Sequence, residues 1–270
     1  MLTLAGDIDL TVAAQSVLDL IGNTPLVDVS NLSPNPGVRL LAKLENQNPF
    51  GSVKDRIALS MIDQAIKEGA LVPGQRIMEP SSGNTGIALA AIAQIKGYPI
   101  TILMPTSVSI ERRQMLQIFG ADIILTPGEE GSNGAVRRAQ EMSEAHPEWC
   151  FLYQYANDAN ARAHYEGTGP EILRDCPEIT HFVAGLGTSG TLMGTGRFLK
   201  ENKPGVKIVA GIDTNAERLA AFQAKFDVPN GFASVDAALA WGEFDAVSNV
   251  TPDAVHFATT MPFLAAGKHV

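Results

Sequence analysis

Asn48-Pro49-Phe50-Gly51-Ser52-Val53-Lys54-Asp55-Arg56 is the stretch on which the reading of this chain turns. Pro49 and Gly51 bend the backbone, and a helical pattern follows through Ile57, Leu59, Met61, Ile62, Ala65 and Ile66 to a stop at Gly69. Ser52 and Asp55 have the spacing of an N-terminal capping box. Lys54 therefore stands in the first turn of a helix, at the positive end of its dipole, with Arg56 close by. Both influences disfavour a further positive charge and are expected to lower the pKa of the amine. A neutral lysine amine is the form that Schiff-base chemistry needs. A lysine at a helix start is also, ordinarily, a solvated side chain. The rest of the chain decides between the two.

The totals narrow the choice. At 270 residues and 45% hydrophobic, the chain can hold one large domain or two of ordinary size around a sizeable core. A net charge of -9 argues against nucleic acid or an anionic membrane surface as partner. No apolar run is long enough to span a bilayer. Met1 to Asp7 lacks the basic-then-apolar order of a signal peptide, so a cytoplasmic location is expected. Cys150 and Cys176 lie far apart, form no CxxC and are expected as free thiols. His146, His164, His181, His256 and His269 show no ligand spacing, and no metal site is expected.

Residues 1 to 15 read as a loosely held arm, followed by a short helix from Ser16 to Ile21 and a turn at Gly22-Asn23-Thr24-Pro25. Val38 to Leu44 reads as a buried strand feeding the lysine loop. After the Lys54 helix, strands are expected at Arg76–Glu79, Pro99–Met104, Asp122–Thr126 and Trp149–Tyr155. Between them lie helices at Ile87–Lys96, Ser109–Phe119 and Gly134–Ala145, the first two closed by Gly97 and Gly120. Strand and helix alternate with short connections, the pattern of a parallel sheet covered on both faces. Asn157 to His164 follows as a polar loop or short helix, and a further helix begins at Gly167–Ile172.

Two loops have the chemistry of anion sites. Ser81-Ser82-Gly83-Asn84-Thr85 sets hydroxyls, an amide and flexible backbone at a helix N-terminus after a strand, which suits a small carboxylate. An ordinary helix cap is the other reading. His181-Phe182-Val183-Ala184 is an apolar strand running into Gly185-Leu186-Gly187-Thr188-Ser189-Gly190-Thr191, where a helix starts at about Thr191. Glycines let backbone N–H groups approach an oxyanion, and the hydroxyls complete a phosphate cradle. The same glycines satisfy GxGxxG, with Asp213 at the end of the next strand, so a dinucleotide is a second possible ligand.

Taken together, these segments resemble the cysteine synthase branch of the fold-type II pyridoxal-phosphate enzymes, its B type in particular, over roughly residues 16 to 210. The resemblance rests on Ile21-Gly22-Asn23-Thr24-Pro25-Leu26, Lys43-Leu44-Glu45 with Asn48-Pro49, Gly51 to Arg56, Ser82-Gly83-Asn84-Thr85-Gly86, Glu111-Arg112-Arg113 and Gly187 to Leu192, in the family's order and spacing. It implies an α/β, two-domain fold with parallel three-layer sheets. Residues 1–55 and 155–210 would form the cofactor domain and 56–154 the smaller substrate domain. It implies that Lys54 carries pyridoxal phosphate and that Asn84 bonds the cofactor's 3-hydroxyl. Gly187, Thr188, Ser189, Gly190 and Thr191 would hold the phosphate, and Ser81, Ser82, Gly83, Thr85 and Gln154 the substrate carboxylate. The implied reaction is β-replacement, an O-activated serine and a sulfur donor giving cysteine, in a homodimer. Arg112 and Arg113 read as a solvated face or salt-bridging pair, and His164 as a structural residue, with a place near the site as the other reading.

The resemblance is read as ending at about Val209. The glycine- and serine-rich segment and the Ser or Thr at the pyridine nitrogen that it implies further on are not found in this sequence. Residues from about 205 to 270 are instead similar to part of the nucleotide-binding domain of the Gfo/Idh/MocA oxidoreductases, with 211–270 as a Rossmann-like segment. That likeness rests on Gly185, Gly187, Gly190, Asp213, Thr251 and Pro252, without that family's lysine motif. The chain thus reads as two Rossmann-type parts joined near a strand from Val206 to Ile212. An NAD(P)-binding module and a non-catalytic remnant stand beside the pyridoxal-phosphate reading as alternatives.

Overall fold

The computed structural model describes residues 13–33, 35–185, 188–208, 211–212, 220, 224, 231–232, 234–241, 261–262 and 265. The arm expected over residues 1–15 therefore falls mostly outside the described residues. The chain divides into two compact units, Met1–Ala163 and His164–Val270.

The first unit opens with a 3-10 turn, Val17–Leu20, capped by Ser16. The hydroxyl of Ser16 accepts from the Leu18 N–H at 3.1 Å, and the Asp19 carboxylate accepts from the Ser16 N–H at 2.8 Å. Strand β1 (Leu26–Asp28) pairs antiparallel with β2 (Leu41–Lys43), Leu26 facing Lys43. The buried strand expected over Val38–Leu44 is thus shorter, half-buried, and exposed at Val38. The reason is local: Asn35 takes the Gly37 N–H on its side chain and the Val38 N–H on its carbonyl, so residues 35–38 form a turn.

Helix α1 (Lys54–Lys67) follows, then β3 (Ile77–Pro80), α2 (Asn84–Lys96), β4 (Ile100–Pro105), α3 (Ile110–Ile118), β5 (Asp122–Thr126), α4 (Gly131–Ala145), β6 (Cys150–Phe151) and α5 (Asp158–Ala163). The four strands from β3 to β6 form one parallel sheet in the order β5-β4-β3-β6. Side chains alternate across it. Ile77, Ile100, Ile102 and Met104 pack with Ile57, Met61 and Ile62 of α1 and Leu89 and Ile92 of α2. Met78 and Leu103 point the other way, onto Ala135, Ala139 and Met142 of α4. Both faces are covered, as the alternating pattern requires. Helix α2 is apolar almost all round, buried from Ala88 to Ala93, and ends on Gly97 at φ 77°.

The strand expected over Trp149–Tyr155 is only Cys150–Phe151. Leu152 makes the last ladder bond, to the Met78 carbonyl at 3.3 Å, and Tyr153 then turns the chain at φ 49°. Cys150 and Cys176 are both free and buried.

The second unit begins with a π-helical turn, His164–Thr168, then α6 (Gly169–Asp175), β7 (His181–Phe182), α7 (Gly190–Asn202) and β8 (Lys207–Ile208). Ile172, Phe182, Leu192, Leu199 and Val206 form its core. Strands β7 and β8 pair in parallel, as do β9 (Gly211–Ile212) and β10 (Gly231–Phe232), and α8 (Val235–Trp241) follows. The single strand expected from Val206 to Ile212 is therefore two short strands with different partners.

Candidate active site

Lys54 is the first residue of α1 and is half-buried. Burial holds its amine below the usual lysine range. The sequence reading credited Arg56 and the helix dipole, but Arg56 is neutralised. Its Nε and Nη2 donate to the two Glu45 oxygens at 2.7 and 2.9 Å, with Nη2 also 3.2 Å from the Thr24 hydroxyl. That hydroxyl donates to Glu45 at 2.7 Å, and Asn48 Nδ2 donates to the Glu45 carbonyl at 2.9 Å. Asn48 Oδ1 in turn accepts from the Gly22 N–H at 2.8 Å. The Gly22-Asn23-Thr24-Pro25, Lys43-Leu44-Glu45, Asn48-Pro49 and Arg56 segments are thus one buried polar network that fixes the start of α1.

The capping box takes a shifted form. The Ser52 hydroxyl accepts from the Lys54 N–H at 3.1 Å rather than from Asp55, and donates to Asp55 at 3.3 Å. The other Asp55 oxygen accepts from the Phe50 N–H at 2.6 Å. Gly51, at φ 86°, supplies the bend that brings these groups together. Burial pushes the Asp55 carboxyl up to about 6.

The Ser81–Thr85 loop sits at the C-terminal end of β3 and the N-terminus of α2, the end at which a helix leaves its first N–H groups without intrahelical partners. The buried Ser81 hydroxyl accepts from the Gly86 N–H at 2.9 Å. A Cβ at Gly86 would lie 3.3 Å from Ser81, a tight contact that glycine avoids. Ser82 and Gly83 are half-buried and Asn84 is exposed at the helix start. Arg112 Nη1 donates to the Ser82 carbonyl at 2.8 Å, so Arg112 braces this loop rather than only lining a solvated face. Thr85 and Gln154, far apart in sequence, meet: the buried Thr85 hydroxyl donates to Gln154 Oε1 at 2.8 Å. Glu79 lies beneath them. Its oxygens accept from the Tyr153 and Gln154 N–H groups at 2.7 and 3.1 Å. Sequence reasoning missed Glu79; its one signal is a carboxylate in an otherwise apolar strand.

In the second unit, Thr188, Ser189, Gly190 and Thr191 lie at the start of α7. Gly187 and Leu186 fall outside the described residues. Ser189 has φ 64°, and its own side chain makes no capping hydrogen bond. The Ser189 hydroxyl turns back to the Thr188 carbonyl at 2.6 Å. The Thr191 hydroxyl is 3.1 Å from His164 Nε2, and the opposite ring nitrogen of the fully buried His164 is 2.9 Å from the Thr168 hydroxyl. A helix N-terminus of N–H groups and hydroxyls fits a phosphate. The half-buried Lys54 fits covalent attachment of a carbonyl cofactor.

The family described as pyridoxal-phosphate dependent enzyme matches residues 17–239. A cysteine synthase of a Flavobacterium species is 45% identical over 197 residues, covering 73% of this chain and 64% of that protein. The crystal structure of an O-ureido-L-serine synthase superposes with a TM-score of 0.71 at 40% identity, covering 76% of this chain and 66% of the other. That of a cysteine synthase from Entamoeba histolytica gives 0.73 at 37% identity, covering 83% and 67%. The chain spans just under two thirds of the length of the curated relatives it matches. The match to residue 239 continues past Val209, where the sequence reading ended the resemblance, and takes in Asp213. The likeness to the Gfo/Idh/MocA oxidoreductases finds no support in these comparisons, and the NAD(P) alternative goes with it. Asp213, Thr251 and Pro252, on which it drew, lie outside the described residues. The chain belongs to the pyridoxal-phosphate dependent enzymes, in their cysteine synthase-like branch.

Proposed function

We propose that this chain carries out a pyridoxal-phosphate dependent β-replacement that forms L-cysteine from an O-activated serine and a sulfur donor. The observation that carries this reading is the half-buried Lys54, its pKa lowered by burial at the start of α1. Bound pyridoxal phosphate supplies the electron sink that makes the substrate Cα–H acidic. Lys54 is the attachment point and then the base: its Nζ takes the α-proton and later returns it. The leaving group departs with the Cβ–O bonding pair, and a sulfur lone pair forms the new Cβ–S bond. Ser81, Ser82, Gly83, Thr85 and Gln154 hold and orient the substrate carboxylate at the N-terminus of α2. Asn84 would bond the cofactor's 3-hydroxyl, and Gly187 to Thr191 would hold its phosphate. O-ureido-L-serine, the product named for one structural neighbour, is a β-substituted alanine like cysteine, which supports β-replacement as the shared chemistry.

The same reading includes a cofactor domain of residues 1–55 and 155–210, a substrate domain of 56–154 and a separate segment from 211 to 270. It also includes a homodimer in the cytoplasm. No described helix is long and apolar enough to cross a membrane.

The test is the visible absorption of the chain expressed with pyridoxal phosphate, beside Lys54→Ala. A visible cofactor band that is absent in the variant and shifts on addition of O-acetyl-L-serine is the expected result. A soluble, folded chain without the band is a non-catalytic remnant.

A further inference from the structure

Glu79 is fully buried, and no Lys or Arg pairs with it among the described residues. A buried carboxyl is costly, so its retention calls for a reason. The sheet shows one. Strand β6 ends at Phe151, and the ladder at the Leu152 N–H. The next two N–H groups, of Tyr153 and Gln154, leave the sheet and would be orphaned in the interior. Both end on Glu79, one on each oxygen. An amide side chain in its place accepts through one oxygen only and turns an NH2 toward the other donor. The turn so held is strained at Tyr153, a non-glycine residue at φ 49°. It delivers Gln154 to within 2.8 Å of the Thr85 hydroxyl, on the first turn of α2. Two residues beyond Glu79, Ser81 caps the same helix end through the Gly86 N–H. One strand end therefore sets both sides of the loop: Ser81 directly, and Gln154 through Glu79.

We propose that Glu79 is a positioning residue for carboxylate recognition, holding the Tyr153–Gln154 turn so that Gln154 and Thr85 meet as one binding pair. This rests on the reading of Thr85 and Gln154 as carboxylate ligands and assigns their alignment to a residue that touches neither substrate nor cofactor. Burial pushes the Glu79 carboxyl up to about 8, against the two N–H bonds from Tyr153 and Gln154, which favour its ionised form. Tyr155, whose phenol is raised by burial and by Glu79, is the titratable neighbour on the same turn.

Two measurements on the full chain test this. The first is amide hydrogen exchange over residues 150–156, without added cofactor, in the wild type and in Glu79→Gln. At least about tenfold faster exchange confined to this turn, with the β3–β5 peptides unchanged, is expected. Unchanged protection overturns the proposal. The second, with pyridoxal phosphate bound, is the dissociation constant of O-acetyl-L-serine from the shift of the visible band, in Glu79→Gln, Gln154→Ala and the double variant. Each single change is expected to weaken binding about tenfold or more, and the double variant no further than Gln154→Ala. Additive losses mean that Glu79 acts independently of Gln154 and overturn the proposal. If the wild type shows no cofactor band, the functional reading fails separately, and the exchange measurement still decides the positioning.

Discussion

Arg56 stands two residues from Lys54, yet its charge goes elsewhere. The guanidinium is almost wholly buried and bonds both oxygens of Glu45. Removing one partner of such a pair leaves a buried charge uncompensated, which costs about 3–5 kcal/mol, whereas replacing both with apolar side chains is often neutral. Glu45→Ala is therefore expected to lower unfolding stability by that amount in urea titration, and Glu45→Leu with Arg56→Met to recover most of it. A loss below about 1 kcal/mol in the single variant would mean that solvent reaches Arg56. At this scale the sequence marked the right residues and misassigned part of the work. Lys54 is perturbed as expected, but by burial; Ser52 and Asp55 cap the helix, but in a shifted pattern. Glu45 carried no mark of its role, because its partners Thr24, Asn48 and Arg56 converge only after the β1–β2 ribbon and α1 have formed.

Among the elements, the helices and the strands of the parallel sheet were the most legible. Asp122–Thr126 agrees end for end, and the helices at 84–96, 110–118 and 131–145 begin or end within a few residues of expectation, because periodicity and glycine stops are local signals. Strand β6 and the β8–β9 region were the least legible, since a strand ends where its partner stops, and the partner is remote in sequence. Gly169, the first residue of α6, shows the same dependence. A Cβ there would lie 2.8 Å from Phe198 on α7, a contact that no local pattern announces. Gly169→Ala is expected to cost about 1–3 kcal/mol by overpacking, despite the better helix propensity of alanine. Phe198→Ala in the same background should restore part of the loss by removing the clash, as thermal unfolding of the three variants would show.

Over the whole molecule, two buried carboxyls bias stability with pH. Asp55 is raised from 3.8 to about 6 and Glu79 from 4.5 to about 8. Between the unfolded and folded values the native state keeps protons that the unfolded chain gives up, so stability falls as pH rises. The contribution is complete below about 4 and is lost progressively through about 6 for Asp55 and about 8 for Glu79. Glu45, whose pKa is lowered despite the opposing effect of its burial chiefly by Arg56, acts in the opposite sense but only below its ordinary range, so it is constant over this window. The urea midpoint is expected to be higher at pH 5 than at pH 8, with Asp55→Asn flattening the acid half of the decline; a midpoint that rises with pH would contradict both assignments. By itself, the sequence determined the α/β alternation, the lysine at a helix start and the two loops at helix N-termini, because periodicity, glycine stops and helix-end chemistry act over a few residues. Only the tertiary structure decided that Glu45 neutralises Arg56, that Gln154 meets Thr85, and that Glu79 lies beneath them. Those contacts join residues 11, 69 and 75 positions apart, and only the packing of helices and strands around a common core brings them within hydrogen-bonding distance.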